Sequence, residues 1–476
     1  MITLVLIGLP LLFALVVFIL RGEKTIRLTA LLGSLITFGW AVVAWVNYAH
    51  FCKCSVLFKT AWLAGSGVSL QFGMDGISML LVMLTTFLVP VIIGSACKHL
   101  YLKPAAFFGL ILLLETAFLG VFTAFDGLVF YIFWELALIC AWFICAVWGG
   151  KDRIRITFKF FIFTFTGSLL ILAALLFLYF RSPAPHSFDY RWLYDAQLTT
   201  GEQRWIFAAM VIGFAVKIPV FPLHTWQPET YTTAPAQGTM LLAGIMGKMG
   251  IYGTIRWLIP VVPEAVAELS QPVIILAITG ILYASLIALR QDDLKRLVAY
   301  SSIAHMGLIT AGLFTLRPEA TDGAVIQMVS HGINVVGLFC LLGFIEARTG
   351  TRSMADLGGL ANQAPWLAAF FRVILLGFIS LPMTNGFVGE FILLLNLFET
   401  NILFAAVAGL TIIFSAVYML WMYQRVMLGD PVLPGRSAGS PIRDLSPAEV
   451  LVLIPLVIMI FWIGIAPGMF LKLITL

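Results

Sequence analysis

Fourteen long apolar stretches, separated by short polar connections, run through the chain from end to end. They cover about residues 2–20, 27–48, 75–96, 107–125, 127–148, 156–180, 205–222, 237–258, 272–289, 296–316, 322–347, 367–396, 403–424 and 448–470. Most are close to the ~20 apolar residues that a helix needs to cross ~30 Å of hydrocarbon. They are far too long for barrel strands, and only helices or closed barrels satisfy their backbone in lipid. The pattern therefore predicts an all-α polytopic membrane protein. The longest connections fall near 49–73, 181–204 and 425–447, and none is long enough for a soluble domain.

Two of the stretches are interrupted. Lys217-Ile-Pro-Val-Phe-Pro222 closes the seventh and Leu381-Pro-Met-Thr-Asn-Gly386 breaks the twelfth. Proline removes a backbone donor and clashes with the preceding turn. At membrane depth that is tolerated where the freed groups face protein or a watery cavity. The breaks lie five spans apart, an odd offset, so matching units would have opposite topology. This spacing, rather than residue similarity, predicts two inverted five-helix repeats with their path at the repeat interface. The expected organisation is a single membrane domain over 1–476. Within it lie three N-terminal helices (1–106), repeat one with helices four to eight (107–260), repeat two with helices nine to thirteen (270–428), and a last helix (448–470).

Charge changes the picture because there is so little of it. Only 11% of residues are charged, against about 25% in soluble domains. The net charge of +5 is scattered over loops and forms no basic patch, which argues against a nucleic-acid partner. With the N-terminus outside, the cytoplasmic loops hold eighteen of the 28 Lys and Arg residues, the outer loops eight, and Lys217 and Lys248 lie inside spans. That bias puts both termini on the outer side of a cell inner (plasma) membrane or equivalent energy-transducing membrane. The first stretch lacks a basic leader and reads as a retained helix. The six cysteines give no metal or redox framework: Cys97, Cys140, Cys145 and Cys340 sit in apolar runs, and Cys52 and Cys54 form only a lone CxC.

Against this background the intramembrane charges are the candidate chemistry. Lys248 lies near the middle of the apolar window from Gln237 to Ile255, where a charge costs roughly 2.5–3.5 kcal/mol even on a lenient insertion scale. Lys217, Glu115, Glu135 and Glu390 have comparable surroundings. Desolvation disfavours the charged form of a buried group and an opposite charge favours it, so a Glu135–Lys217 pair can act as a proton switch. The alternative is a static ion pair pinning two helices. Lys248 suits a central relay better than a residue snorkelling to an interface. Glu390, just after the second break, suits an exit group, or else a carboxylate bonded to free helix amides. Glu115 either tunes an entry path or bonds a neighbouring helix. His331 and His305 suit transfer between Lys248 and Glu390, although a lone buried histidine is often a packing residue. His224, after the first break, reads more readily as a loop structural residue than as part of a path. Asp75 and Asp126 begin spans and read as helix caps. Ser301, Ser302 and Thr239 are further candidates for holding water.

Taken together, several stretches resemble the antiporter-like subunits of respiratory complex I, the proton-pumping NADH–quinone oxidoreductase, and the related Mrp antiporters. They are Gly73-Met-Asp-Gly-Ile-Ser78, the Phe-Trp-Glu of span five, and Lys217-Ile-Pro continuing through Pro222-Leu-His-Thr-Trp-Gln-Pro-Glu229. Ala234-Pro to Gly238, Leu241-Leu-Ala-Gly-Ile to Lys248, Asp293-Leu-Lys-Arg-Leu-Val-Ala-Tyr-Ser-Ser-Ile-Ala-His-Met-Gly307 and His331-Gly extend the match. It covers most of the chain from about residue 70. A glutamate at position 390, where the L-type and N-type sisters and Mrp subunits carry lysine, resembles the M-type subunit. Glu135 points away from the N-type, and the chain lacks the long lateral helix of the L-type. One departure is Leu138-Ile-Cys-Ala-Trp142, where the family has a Pro-Met-Tyr stretch.

The resemblance implies an input pair Glu135–Lys217, a central relay Lys248 and an output group Glu390, with Glu115 matching a carboxylate common in M-type chains. It implies a proton-translocating but non-catalytic subunit, with L-type and N-type sisters and the lipid bilayer as partners. No cofactor is expected in this chain, since it has no cysteine pattern or dinucleotide fingerprint; FMN and Fe–S clusters would lie in other subunits of the complex. The rival readings are an Mrp-type Na⁺/H⁺ antiporter component, an ion-translocating arm of a membrane-bound hydrogenase, a subunit of an inorganic-carbon uptake machine, and a structural scaffold.

Overall fold

The computed structural model describes residues 2–51, 56–63, 65–96, 101–430 and 442–475. Cys52, Cys54 and Cys97 lie outside them. The chain opens with helices α1 (Ile2–Ile19) and α2 (Glu23–Phe51), then strands β1 (Val56–Leu63) and β2 (Val68–Gly73). There follow α3 (Gly76–Ser95), α4 (Pro104–Thr123), α5 (Gly127–Trp148), α6 (Arg153–Arg181), the short α7 (Tyr190–Tyr194), α8 (Thr200–Lys217) and α9 (Gln227–Thr233). A composite rod comes next: α10 (Ala236–Leu241), a π segment over Leu242–Met246, α11 (Gly247–Gly253) and a second π segment over Thr254–Leu258. The second half holds α12 (Pro263–Ala288), α13 (Leu294–Leu313), α14 (Ala320–Thr349), a 3₁₀ turn at Met354–Asp356, α15 (Leu360–Gln363), α16 (Pro365–Phe378) and α17 (Asn385–Thr400). It closes with α18 (Ile402–Met427), α19 (Pro447–Ile465) and α20 (Gly468–Thr475).

Ten helices among the described residues are long and apolar enough to cross a membrane: α1–α6, α12, α14, α18 and α19. The remaining four expected spans are α8, the composite rod, α13 and the α16–α17 pair. These are the elements that carry Lys217, Lys248, His305 and Glu390, while Glu115, Glu135 and His331 sit on the apolar spans α4, α5 and α14. α14 is buried over nearly its whole length and serves as the central post of the second half.

The all-α membrane fold carries one short element that is not helical. Within the long connection near 49–73, β1 and β2 pair antiparallel, with Phe58 opposite Phe72 and Thr60 opposite Leu70. Val68, Leu70 and Phe72 alternate with Ser69 and Gln71, the period of a strand. The hairpin is stitched to the α4–α5 turn, where the Phe125 amide donates to the Gln71 carbonyl at 2.9 Å. Asp126 accepts from Ser69 N at 3.0 Å while capping α5 through Leu128 N and Val129 N at 3.0 and 3.2 Å.

Side chains from outside each broken helix bond to it beside the break. After α8 the chain turns over residues 218–226, and the Trp226 indole donates to the Val216 carbonyl at 2.9 Å. Between α16 and α17 the break leans on α14. Ser330 Oγ donates to Asn385 O at 2.9 Å, and Asn334 Nδ2 donates to Asn385 Oδ1 at 3.0 Å. The π segments are a third irregularity, one the sequence pattern does not announce.

Candidate functional site

Lys248 is the second residue of α11, directly after the first π segment, and is fully buried. In a π turn the amide bonds back five residues, and here Gly247 N reaches Leu242 O. That widened turn leaves the Ala243 carbonyl within reach of the lysine. Its Nζ donates to Ala243 O at 2.5 Å and to Nδ1 of His331 at 2.8 Å. The sequence offers Lys248 no local partner; the partner comes from α14, 83 residues away. The rod and α14 approach this closely because Gly332 faces Gly244. A Cβ on Gly332 would stand 2.9 Å from the Gly244 carbonyl oxygen.

His331 is buried, and its second nitrogen lies 3.2 Å from Ser302 Oγ on α13. With an ammonium donating to Nδ1, Nε2 carries the ring proton and donates to Ser302. Ser302 stands three residues before His305, on the same face of α13. The two histidine rings are 5.9 Å apart, with Phe378, the last residue before the second break, packed against both.

His305 and Glu390 make a second bonded unit, each 1% exposed, with Nδ1 and Oε1 2.6 Å apart. Nδ1–H donates to the carboxylate, leaving Nε2 to accept from Ser415 Oγ at 3.4 Å. Gln327 Nε2 donates to the same Glu390 oxygen at 3.1 Å. The structure thus brings Lys248, His331, His305 and Glu390 together across the composite rod, α14, α13 and α17.

The first half is arranged differently. Lys217 ends α8, is 2% exposed, and its Nζ makes no hydrogen bond. The ammonium lies 4.8 Å from the ring centre of Trp134 and feels the charge of Glu135, the next residue on α5. The expected Glu135–Lys217 pair is therefore a proximity without a bond. Glu135 is half-buried, with Oε1 unbonded. Glu115 is fully buried on α4 with neither oxygen bonded. His224 packs its ring between Phe221 and Tyr283 and joins none of the other groups. Ser301 and Thr239 bond carbonyls at 2.9 and 2.8 Å within their own stretch of chain. Asp75 caps α3 through Ser78 N at 2.9 Å and forms an ion pair with Arg256.

Sequence reasoning missed Gln327, Ser415 and Arg256. Gln327 lies four residues before His331, the spacing of one helix face, and that was the available signal. Arg256 reads as an outer-loop charge but sits in the second π segment. Among the described residues no group of three or more His, Cys, Asp or Glu side chains is placed to hold a metal ion.

Broken helices, a buried lysine and two buried histidine pairings, spread over rods in an all-helical membrane fold, define an antiporter-like membrane subunit. Residues 124–415 match the family described as NADH:quinone oxidoreductase/Mrp antiporter, TM. The chain is 41% identical over 424 residues to NADH-quinone oxidoreductase subunit M of Rickettsia conorii, covering 88% of this chain and 84% of that one. A chain of respiratory complex I from Thermus thermophilus with bound NADH superposes with a TM-score of 0.89 at 31% identity, over 100% of both chains. A chain of the Mrp complex from Dietzia shares the fold, with a TM-score of 0.85 at 20% identity over 100% of this chain and 51% of that one. The chain belongs to the NADH:quinone oxidoreductase/Mrp antiporter membrane family, with the M-type subunits of complex I among its relatives.

Proposed function

We propose that this chain is a proton-translocating, antiporter-like subunit in the membrane arm of an NADH–quinone oxidoreductase. Its relatives' names support the assignment to that complex. Glu135 and Lys217 form the input, Lys248 is the central relay, His331 and His305 carry the proton onward, and Glu390 is the output group. Glu115 biases the entry, and His224 belongs to the turn rather than to the path. Helices four to eight and nine to thirteen act as two inverted units. Both termini lie outside, and the neighbours are L-type and N-type sisters that, with the redox arm, supply the driving energy.

The observation that carries the reading is the pair of bonded units Lys248–His331 and His305–Glu390, whose rings are 5.9 Å apart. A proton leaving Lys248 for His331 Nδ1 releases another from Nε2 toward Ser302. Ser302 and His305 share a helix face, so a single bridging water completes the transfer to Glu390.

The test is Lys248→Met in the assembled complex in native membrane vesicles, with Lys248→Arg beside it. Methionine keeps most of the side chain's length and removes the charge. The expected outcome is normal assembly with NADH-driven proton uptake lost. Normal uptake per NADH in Lys248→Met would refute the relay and favour a scaffold. Ion movement that depends on Na⁺ would reassign the path to an Mrp-type antiporter.

A further inference from the structure

α18 is among the more lipid-exposed spans, yet Thr411, Ser415 and Tyr418 on it are all fully buried. Spacings of four and three residues put them on one helix face, and α18 packs against α12, α17 and α13. Ser415 bonds His305. The Tyr418 hydroxyl interacts with Ser415 and lies within electrostatic reach of Glu390, but makes no well-formed hydrogen bond to a protein group. Thr411 Oγ1, one turn away, has no protein partner either.

Across from this face, Glu390 directs only Oε1 at His305 and Gln327, and its Oε2 is unbonded. Gln327 gives its amide nitrogen to Glu390, and its own Oε1 is unbonded. Four buried oxygens in this region thus lack a well-formed protein hydrogen bond: the free oxygen of Glu390, that of Gln327, which bonds Glu390 directly, and the two hydroxyls on the α18 face that reaches His305. Two of them, the carboxylate and the amide oxygen, only accept; the two hydroxyls can also donate. This is the complement of water, which donates twice and accepts twice. A buried site with several such groups is where ordered water is held.

We propose that Thr411, Ser415 and Tyr418, with Gln327, hold ordered water on the free oxygen of Glu390, and that Tyr418 positions this water to carry the proton on from that carboxylate. The proposal rests on the relay reading above. In the step itself the O–H bond of the protonated Glu390 breaks and an O–H bond forms on the water, giving a hydronium that passes a proton to the next water. The carboxylate left behind takes the next proton from His305 Nδ1 as Nε2 of the same ring receives one from the relay, so the ring ends neutral. Tyr418 is a positioning residue and neither gains nor loses a proton overall.

The experiment compares Tyr418→Phe, Thr411→Val, Thr411→Ser and Glu390→Gln in the assembled complex in native membrane vesicles. The first three change little but a hydroxyl group or a methyl, so assembly is preserved. The readouts are protons taken up per NADH oxidised and the infrared carboxyl stretch of protonated Glu390, identified as the band missing in Glu390→Gln. The expected result is a loss of uptake in Tyr418→Phe and Thr411→Val, a shift of the carboxyl band in Tyr418→Phe, and parent-like behaviour in Thr411→Ser. Should Glu390→Gln abolish uptake while Tyr418→Phe changes neither uptake nor the band, the α18 face plays no part and this proposal falls alone. Normal uptake in Glu390→Gln would bring down the relay reading as well.

Discussion

A methyl group has no room at position 389. A Cβ on Gly389 would stand 2.6 Å from the Cβ of Gln327, 2.8 Å from its Cα and 2.5 Å from its Oε1. The amide tip can swing aside, but the Cβ and Cα of a packed helix cannot. Ordinary carbon–carbon contact is ~3.5–4.0 Å, so Gly389→Ala drives α14 and α17 apart by about 1 Å. Glu390 is the next residue and moves with the displaced backbone. Its bond to Gln327, now 3.1 Å, is then lost, and its bond to His305, now 2.6 Å, stretches to the edge of hydrogen-bonding range. Overpacking of this kind costs about 1–3 kcal/mol of stability. Loss of the Gln327 bond removes about 1.5–3 kcal/mol of support for the carboxylate, and the stretched His305 bond slows the transfer it carries by roughly tenfold for each ~1.4 kcal/mol it loses.

The matched control is Gly409→Ala on α18, where an added Cβ meets nothing within 4 Å. It removes a helix glycine and gains up to about 1 kcal/mol of helix propensity. The assay is thermal unfolding of the purified complex together with the initial rate of NADH-driven proton uptake in vesicles. Gly389→Ala is expected to lower both, and Gly409→Ala neither. If the two variants behave alike in both measurements, the close approach at Gly389 does not set the Glu390 geometry, and the reasoning is refuted.

Two further outcomes follow from the periphery of the path. Asp126→Ala removes the cap of α5 and the tie to Ser69, so it is expected to lower the unfolding temperature and the assembled yield, at a cost of about 2 kcal/mol. Proton uptake per assembled complex should stay unchanged, and a drop there would show that Asp126 does more than hold the hairpin. For Asp75, burial raises the carboxyl's pKa, but the Arg256 guanidinium and the Ser78 bonds more than offset this and hold it below the ordinary value of 3.8. A depressed carboxylate contributes stability above its unfolded pKa and loses it as pH falls through the folded one. The detergent-solubilised complex is therefore expected to lose part of its thermal stability as pH drops below about 4, with that part missing in Asp75→Asn. Parallel pH profiles for parent and variant would dismiss the ion pair as a stabilising contact.

The helical rods were legible because sparse charge leaves the apolar runs sharply bounded. The run at 127–148 matches α5 over Gly127–Trp148, and the one at 237–258 differs from the composite rod by a single residue. Proline placement located both breaks for the same local reason. The β1–β2 hairpin escaped notice because its alternation is short and its stability comes from contacts with the α4–α5 turn. The π segments escaped because Gly244 is the one weak helix former in Leu242–Met246 and does not by itself mark a π turn; what distinguishes the segment is the Lys248 side chain on the Ala243 carbonyl and the glycine contact with α14. The ionisable residues could be picked out by type and depth alone. Their pairing could not, because each bond joins helices separated by at least 83 residues in the chain.

The contrast between the two halves of the path bears on where energy would enter it. Lys248, His331, His305 and Glu390 each hold at least one side-chain hydrogen bond, so their positions are fixed by partners. Glu115 and Lys217 hold none, and Glu135 leaves Oε1 free. A buried charge without a partner is unfavourable, and removing a partner from a buried pair is strongly destabilising. Such groups are stable only if water, a neighbour or a change of protonation compensates them. Lys217 has two neighbours on one turn of α5, the Trp134 ring and the Glu135 carboxylate. Within the proposed relay, Lys217 trades the ring contact for an ion pair with Glu135, a two-state element of the kind a distant driving force can bias. On the proposed reading, input from a neighbouring subunit therefore acts on the Glu135–Trp134–Lys217 side, and the pre-bonded units beyond Lys248 pass the result along rather than decide it.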